Sequence, residues 1–561
     1  MAASSLQPRA ADAAPSPAPR AAWRAPWRLG SWAIAAIVAA PVLGVLANLA
    51  APGGGALAHL AATTLPGIVA DTLTLAAIVG VATAVIGVTC AWLVTMCRFP
   101  GSRALEWALL LPMAMPAYIV AYAYADFLAF AGPVQTALRE ATGWRRGAYW
   151  FPDIHSVGGA GAMFALVLYP YVFMLARAAF LEQSVCVLEA SRMLGARAWR
   201  GFALVALPLA RPAIAAGVAL ALMETLADFG TVQHFGIQTF TTAIYRTWYG
   251  MGDRVAAAQL SAMLLLAVLA LLLLERASRG AARVHGAARR HSAIRPHALA
   301  GWRAASCAGA TFLVVAAASL PLVVVCVSSF LDARGAVFQA EFTLENYQKA
   351  FALIGDALWN SVAYATAALF AIVVMGSAFG YYVSRYGGPL SRTLDLVAMI
   401  PFVVPGTVLG IGYASVFNGP PIYITGTAWI IVIVYIVRRM PYLTRAASSV
   451  VYQIDRGLEE ASLNLGAPPL AGFRRIMVPL MRPGIMAGMT IAWLEVFNEL
   501  SASIVLYTGA TRTLPIAAYQ QAFNGDIGIA AAYATMLVGI TAATLAAVIR
   551  LGGAEQTLAI K

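Results

Sequence analysis

Apolar residues in this 561-residue chain come in blocks of twenty or more, separated by short charged stretches. About 20 consecutive apolar residues make a helix long enough to cross a bilayer core. Backbone groups surrounded by lipid must bond within their own segment, so each block is expected to be a helix. The alternating ten-residue pattern of a membrane barrel is absent. Composition agrees, with 61% of residues hydrophobic and 11% charged, where a soluble domain carries about a quarter charged.

The fold class expected is an all-α membrane protein of about twelve spans. They fall near 31–49, 68–95, 105–130, 158–182, 212–236 and 255–275, then 304–330, 357–383, 393–418, 425–447, 484–508 and 527–550. Residues 1–30, rich in Ala, Pro and Arg, read as a disordered cytoplasmic tail. The first repeat is 31–275, a basic cytoplasmic linker is 276–303, and the second repeat is 304–561. A cleaved signal peptide ending near Ala47, Ala50 and Ala51 competes for the first span, but the tail before it is long for such a segment.

Arginine sets the orientation. Loops assigned inside hold Arg98, Arg103, Arg192, Arg197, Arg200, Arg211, the run from Arg276 to Arg303, Arg385, Arg392, Arg438, Arg439, Arg474, Arg475 and Arg482, while outer loops mix Arg139, Arg145, Arg146 and Arg334 with acids. This bias places both termini in the cytoplasm. The net charge of +13 is therefore topological and implies no nucleic-acid partner. The five cysteines, Cys90, Cys97, Cys186, Cys307 and Cys326, form no CxxC and read as small buried apolar residues.

An internal repeat is visible. LEASRMLGARAWRGFALVALPLARPAIAAG (188–217) aligns with EEASLNLGAPPLAGFRRIMVPLMRPGIMAG (459–488) at an offset of 271, which pairs Glu189 with Glu460, Ala190 with Ala461, Gly195 with Gly466 and Pro208 with Pro479. Earlier in each half LLPMAMPAY (110–118) aligns with MIPFVVPGT (399–407) at an offset of 289, pairing Pro112 with Pro401 and Pro116 with Pro405. Six spans separate equivalent points, so the halves are parallel and can form a pseudo-two-fold pair about the membrane normal.

The repeated segment has a physical shape. Glu189, Ala190 and Ser191 begin a helix that Gly195 interrupts, where a backbone can turn sharply. Residues 196–207 resume with Trp199, Phe202, Leu204 and Leu207 at helical spacing. Pro208 and Pro212 are expected to end that helix and start the next span. The result is an elbow with a short amphipathic helix lying along the bilayer surface.

Both copies resemble the EAA loop of permease subunits in binding-protein-dependent ABC importers, and the layout resembles the type I importer architecture. The resemblance implies that Glu189, Ala190, Gly195 and Pro208, with Glu460, Ala461, Gly466 and Pro479, belong to two coupling loops that dock two copies of an ABC ATPase. It also implies a periplasmic substrate-binding protein, with 131–157 and 331–356 as candidate docking surfaces, and a place in the bacterial inner membrane. No Walker A exists, since Lys349 precedes Ala350 and Lys561 ends the sequence. The chain is thus expected to bind no cofactor and to be no enzyme, with ATP and Mg on the partner.

The stretches METLADFGTVQHFGIQTFTTAIYRTWYGMGD (223–253) and LEVFNELSASIVLYTGATRTLPIAAYQQ (494–521), in a fused twelve-span chain, resemble ferric-iron permeases of the siderophore-independent type. Fused thiamine permeases share the architecture. A secondary transporter of the major facilitator type is a further alternative, but the loop from Cys97 to Arg103 lacks its Gly-Asp-Arg signature.

Four acids of these two stretches fall in predicted spans. Glu224 and Asp228 stand four apart, and Glu495 and Glu499 repeat that spacing, so each pair is expected to share a helix face. Intramembrane acids usually face a bundle interior or a wet cavity, and carboxylates suit a hard cation. The four either line an ion pathway or bond neighbouring helices. His234, Tyr245 and Tyr249 can contact metal, with packing as the plainer role. No metal ligand is assigned firmly.

Overall fold

The computed structural model describes residues 21–51, 56–145, 148–182, 193, 198–279, 296–334, 337–386, 388–419 and 422–551. The helices that frame the site are, in the first half, α1 (Ala21–Ala47), α2 (Leu65–Met96), α3 (Ala117–Leu128), α4 (Val157–Glu182), α5 (Leu207–Ala227) and α6 (Arg254–Arg279). In the second half they are α7 (Gly301–Ser328), α8 (Ala357–Arg385), α9 (Pro389–Val403), α10 (Gly406–Val416), α11 (Ala428–Gln453), α12 (Gly457–Asn464), α13 (Val478–Phe497), α14 (Leu514–Phe523) and α15 (Ile527–Leu551).

Among the described residues ten helices are long and apolar enough to cross a membrane, and a pair bent by 112° at the junction of α9 and α10 makes eleven. The twelfth expected span is α11. At 26 residues it is about 39 Å long, but Arg438, Arg439 and Arg445 interrupt its apolar run. Arg438 and Arg439, expected in an inner loop, instead lie mid-helix with 8% exposure each.

Proline explains the broken spans. The residue before a proline is pushed to extended backbone. Met115 and Val404 comply, with ψ of 133° and 128°, ahead of Pro116 and Pro405. Each proline then starts a new helix, α3 or α10. The expected continuous span 393–418 is therefore two pieces, and 105–130 is three, Ser102–Ala108, a short turn at Leu111–Ala114 and α3.

Equivalent helices pack alike, α2 on α4 and α4 on α5 in the first half, α8 on α11 and α11 on α13 in the second. The first helix of each half crosses to the other half. α1 packs against α9 and α10, and α7 packs against α3 and the turn before it. Glycine permits the first crossing, because a Cβ at Gly412 would lie 2.4 Å from the Pro41 carbonyl oxygen. Tyr413 donates a 2.8 Å hydrogen bond to the Ile37 carbonyl, and Tyr124, its equivalent at the 289 offset, donates to the Ala317 carbonyl. Neighbouring helices are tied by a repeated ion pair, Glu106 with Arg177 and Asp395 with Arg445, the two acids again 289 apart.

Candidate docking loop and the acidic helix break

Residues 183–192 and 194–197, with Glu189, Ala190 and Gly195, lie outside the described residues. The second copy is described throughout. α12 carries Glu460 and Ala461 on its exposed surface. Gly466 has φ of +80°, a left-handed conformation that costs other residues roughly 1–2 kcal/mol. Its N–H bonds the Leu463 carbonyl at 3.0 Å, and the Ala467 N–H bonds that of Ser462 at 3.1 Å. These two bonds close a helix end on a left-handed residue, which is why glycine stands at the elbow. Leu458, Leu463, Leu465 and Leu470 are all exposed around the turn, Leu465 to 88%. Exposed apolar side chains gathered at one turn suit contact with a partner or with lipid.

Anchors beneath the elbow were not singled out from sequence. Glu459 meets Arg385 at 2.5 Å and accepts a 2.8 Å hydrogen bond from the Tyr381 hydroxyl. The first half has Leu188 at that place. An aromatic pair is repeated, Trp92 on Phe202 at 4.7 Å and Tyr381 on Phe473 at 4.8 Å between ring centroids. Trp92 and Tyr381 differ by 289 and Phe202 and Phe473 by 271, so both known offsets meet in this contact.

The expected stop at Pro208 and Pro212 is corrected, and the second copy behaves alike. Helix runs on from Trp199 to Ala227 and from Leu470 to Phe497, with Pro208 and Pro479 in the first turn of α5 and α13 and Pro212 and Pro483 inside them. Just before each proline the helix widens to π turns, at Phe202–Ala206 and Phe473–Met477. A wider turn absorbs the lost donor and the ring clash of proline.

The acids also differ from expectation. α5 stops at Ala227 and α13 at Phe497, so Asp228 and Glu499 lie past the helix ends and do not share a regular face with Glu224 and Glu495. Each caps the next segment instead. The Asp228 carboxylate accepts the Thr231 N–H at 2.8 Å, and that of Glu499 accepts the Ala502 N–H at 3.1 Å.

Around this common device the halves diverge. Glu499, 3% exposed, pairs with Arg438 at 2.8 Å and Arg439 at 2.5 Å, and Arg439 reaches Glu495 at 2.9 Å. At the 271 offset the arginines correspond to Val167 and Leu168, both buried. Glu224 makes no hydrogen bond or ion pair among the described residues; it is exposed and within electrostatic reach of Glu495, Arg438 and Arg439. Glu495 keeps 38% side-chain exposure. Asp228 and Glu499 thus do structural bonding, while Glu224 and Glu495 present accessible carboxylates from opposite halves.

His234 meets Tyr122 edge to face, with ring centroids 5.0 Å apart. Tyr245 and Tyr249 pack at 5.0 Å, and the Tyr249 hydroxyl donates to the Val505 carbonyl at 3.0 Å, joining the halves.

Comparison with known proteins fits this repeated architecture. Residues 83–283 and 372–551, more than half of the chain, match the family described as "Binding-protein-dependent transport system inner membrane component". Ferric transport system permease protein FbpB of Actinobacillus pleuropneumoniae is 27% identical over 499 residues, covering 85% of this chain and 70% of that one. Putative ferric transport system permease protein FbpB 1 of Haemophilus influenzae is 27% identical over 469 residues, covering 80% and 71%. Putative 2-aminoethylphosphonate transport system permease protein PhnV of Salmonella typhimurium is 27% identical over 240 residues, covering 43% of this chain and 91% of the relative. With the family matched once in each half, at the positions where the elbow and the helix break repeat, the chain belongs to the inner membrane components of binding-protein-dependent transport systems.

Proposed function

We propose that this chain is the permease subunit of an ATP-driven ABC importer that moves ferric iron, delivered by a periplasmic binding protein, across the bacterial inner membrane. One observation carries the choice of iron. The relatives named as ferric permeases align along both halves, over 85% and 80% of the chain, whereas the 2-aminoethylphosphonate relative aligns with 43% of it. The accessible carboxylates Glu224 and Glu495 supply hard oxygen ligands suited to such a cation.

Two copies of a separate ABC ATPase dock at the two elbows, where they cover exposed leucines such as Leu458 and Leu465. ATP and Mg reside on that partner, and this chain holds no cofactor. The excess of arginine on the elbow side supports a cytoplasmic position for the elbows and both termini.

The experiment is to purify the chain with its ATPase and measure ATP hydrolysis in nanodiscs. Iron-loaded binding protein is expected to stimulate hydrolysis, and Gly466→Val to abolish the stimulation while hydrolysis by the isolated ATPase stays unchanged. Stimulation by a thiamine-loaded binding protein, with none by the iron-loaded one, removes iron and leaves the importer.

A further inference from the structure

A cavity of about 170 Å³ lies between the halves, lined from the first by Tyr122, Asp126 and His234 and from the second by Val325, Ser328 and Ala530, among others. It sits at the far end of α3 from the elbows, since α4 carries the chain back across from that end to the first docking loop. Tyr122 and Asp126 stand one helical turn apart and share a face of α3. His234 projects from the short helix Gly230–His234 that follows the Asp228 break.

The polar groups here are unsatisfied. The Tyr122 hydroxyl, on a side chain only 5% exposed, and the His234 Nε2 are both buried without a hydrogen-bond partner. The Asp126 side chain, half-buried, makes no hydrogen bond or ion pair among the described residues. Buried polar atoms are nearly always paired, and an unpaired one is destabilising. A ligand that uses all three removes that cost.

The repeat does not dictate this cluster. At the offsets that relate the halves, Tyr122, Asp126 and His234 correspond to Ile411, Ser415 and Val505. The cluster is in a single copy. Among the described residues no three His, Cys, Asp or Glu side chains form a metal cluster, so the third donor here is a phenol.

We propose that Tyr122, Asp126 and His234 form a binding site for a single ferric ion at the interface between the halves, on the membrane face opposite the docking loops. The proposal rests on the ferric reading of the function. Phenolate, carboxylate and imidazole offer two hard oxygens and a nitrogen, a donor set suited to a trivalent cation, and the cavity leaves room for waters to complete its shell. Binding of the ion displaces the phenol proton to solvent. Because the walls belong to different halves, relative motion of the halves would open or close the site.

The test uses the whole complex in nanodiscs, with ferric nitrilotriacetate as the probe. Phenolate bound to ferric iron absorbs visible light by charge transfer, so the readout is spectroscopic and independent of transport. One bound iron with a visible band is expected. Tyr122→Phe should abolish the band while preserving the fold, and Asp126→Asn and His234→Gln should each weaken binding roughly tenfold or more. Tyr124→Phe, whose hydroxyl is committed to the Ala317 carbonyl, should leave the band unchanged. No bound iron, or a band indifferent to Tyr122→Phe, overturns the site. Iron uptake measured on the same complex in liposomes separates the two claims: uptake without the Tyr122 band overturns the site alone, and the function stands.

Discussion

Tyr124 and Tyr413 occupy equivalent positions in the two halves, and each donates its hydroxyl to a backbone carbonyl in the first helix of the other half, Ala317 and Ile37. The halves are thus stitched by an exchange of their first helices. Removing either hydroxyl, as Tyr124→Phe or Tyr413→Phe, should cost about 0.5–1.5 kcal/mol, and the two losses should add. Thermal melting of the detergent-solubilised chain measures this. Gly412→Leu should cost more, about 1–3 kcal/mol through overpacking, because the Pro41 backbone blocks even a Cβ.

Asp228 and Glu499 cap equivalent breaks but carry different burdens. Glu499→Gln leaves the buried Arg438 without a charged partner and should destabilise by about 3–5 kcal/mol. Asp228→Asn removes only charge from a capping group and should cost about 1 kcal/mol or less. Equal losses in a urea titration would contradict the asymmetry of the two sites.

Accessibility separates the four acids. In a background without native cysteines, Glu224→Cys and Glu495→Cys should react with a membrane-impermeant thiol reagent, and Glu499→Cys should not. An unreactive Cys at 224 would place that face against lipid or neighbouring helices.

The repeated aromatic pair fixes each elbow to its own half. Phe473→Leu should loosen α12, seen as faster amide exchange from Gly457 to Asn464. A double-mutant cycle with Tyr381→Leu should return a coupling of about 0.5–1.5 kcal/mol.

Much of this molecule was legible because it is written twice. The offsets 271 and 289, read from Gly, Pro and Glu positions, locate the elbow, the proline breaks and the acid pairs. The left-handed turn at Gly466 follows from the residue type. Helix ends inside the membrane were harder, since apolar composition runs through Asp228 and Glu499 without a break, and only the capping bonds reveal that the helix has stopped. Arg438 and Arg439 read as inner-loop charges because topology rules treat arginine as a surface marker; their partner Glu499 lies sixty residues away. The exchange of first helices leaves no periodic signal, because α1 and α7 are apolar on all sides and nothing in them names the half they cover.

The central claim is import of ferric iron driven by a partner ATPase, and uptake by liposomes carrying the full complex tests it most directly. With ATP inside, binding protein outside and radiolabelled iron, thiamine and 2-aminoethylphosphonate supplied in parallel, iron alone should accumulate. That uptake should vanish when Gly195 and Gly466 are both replaced by valine. Accumulation of another solute with the same glycine dependence would contradict iron, and accumulation driven by an ion gradient without ATP would contradict the importer itself.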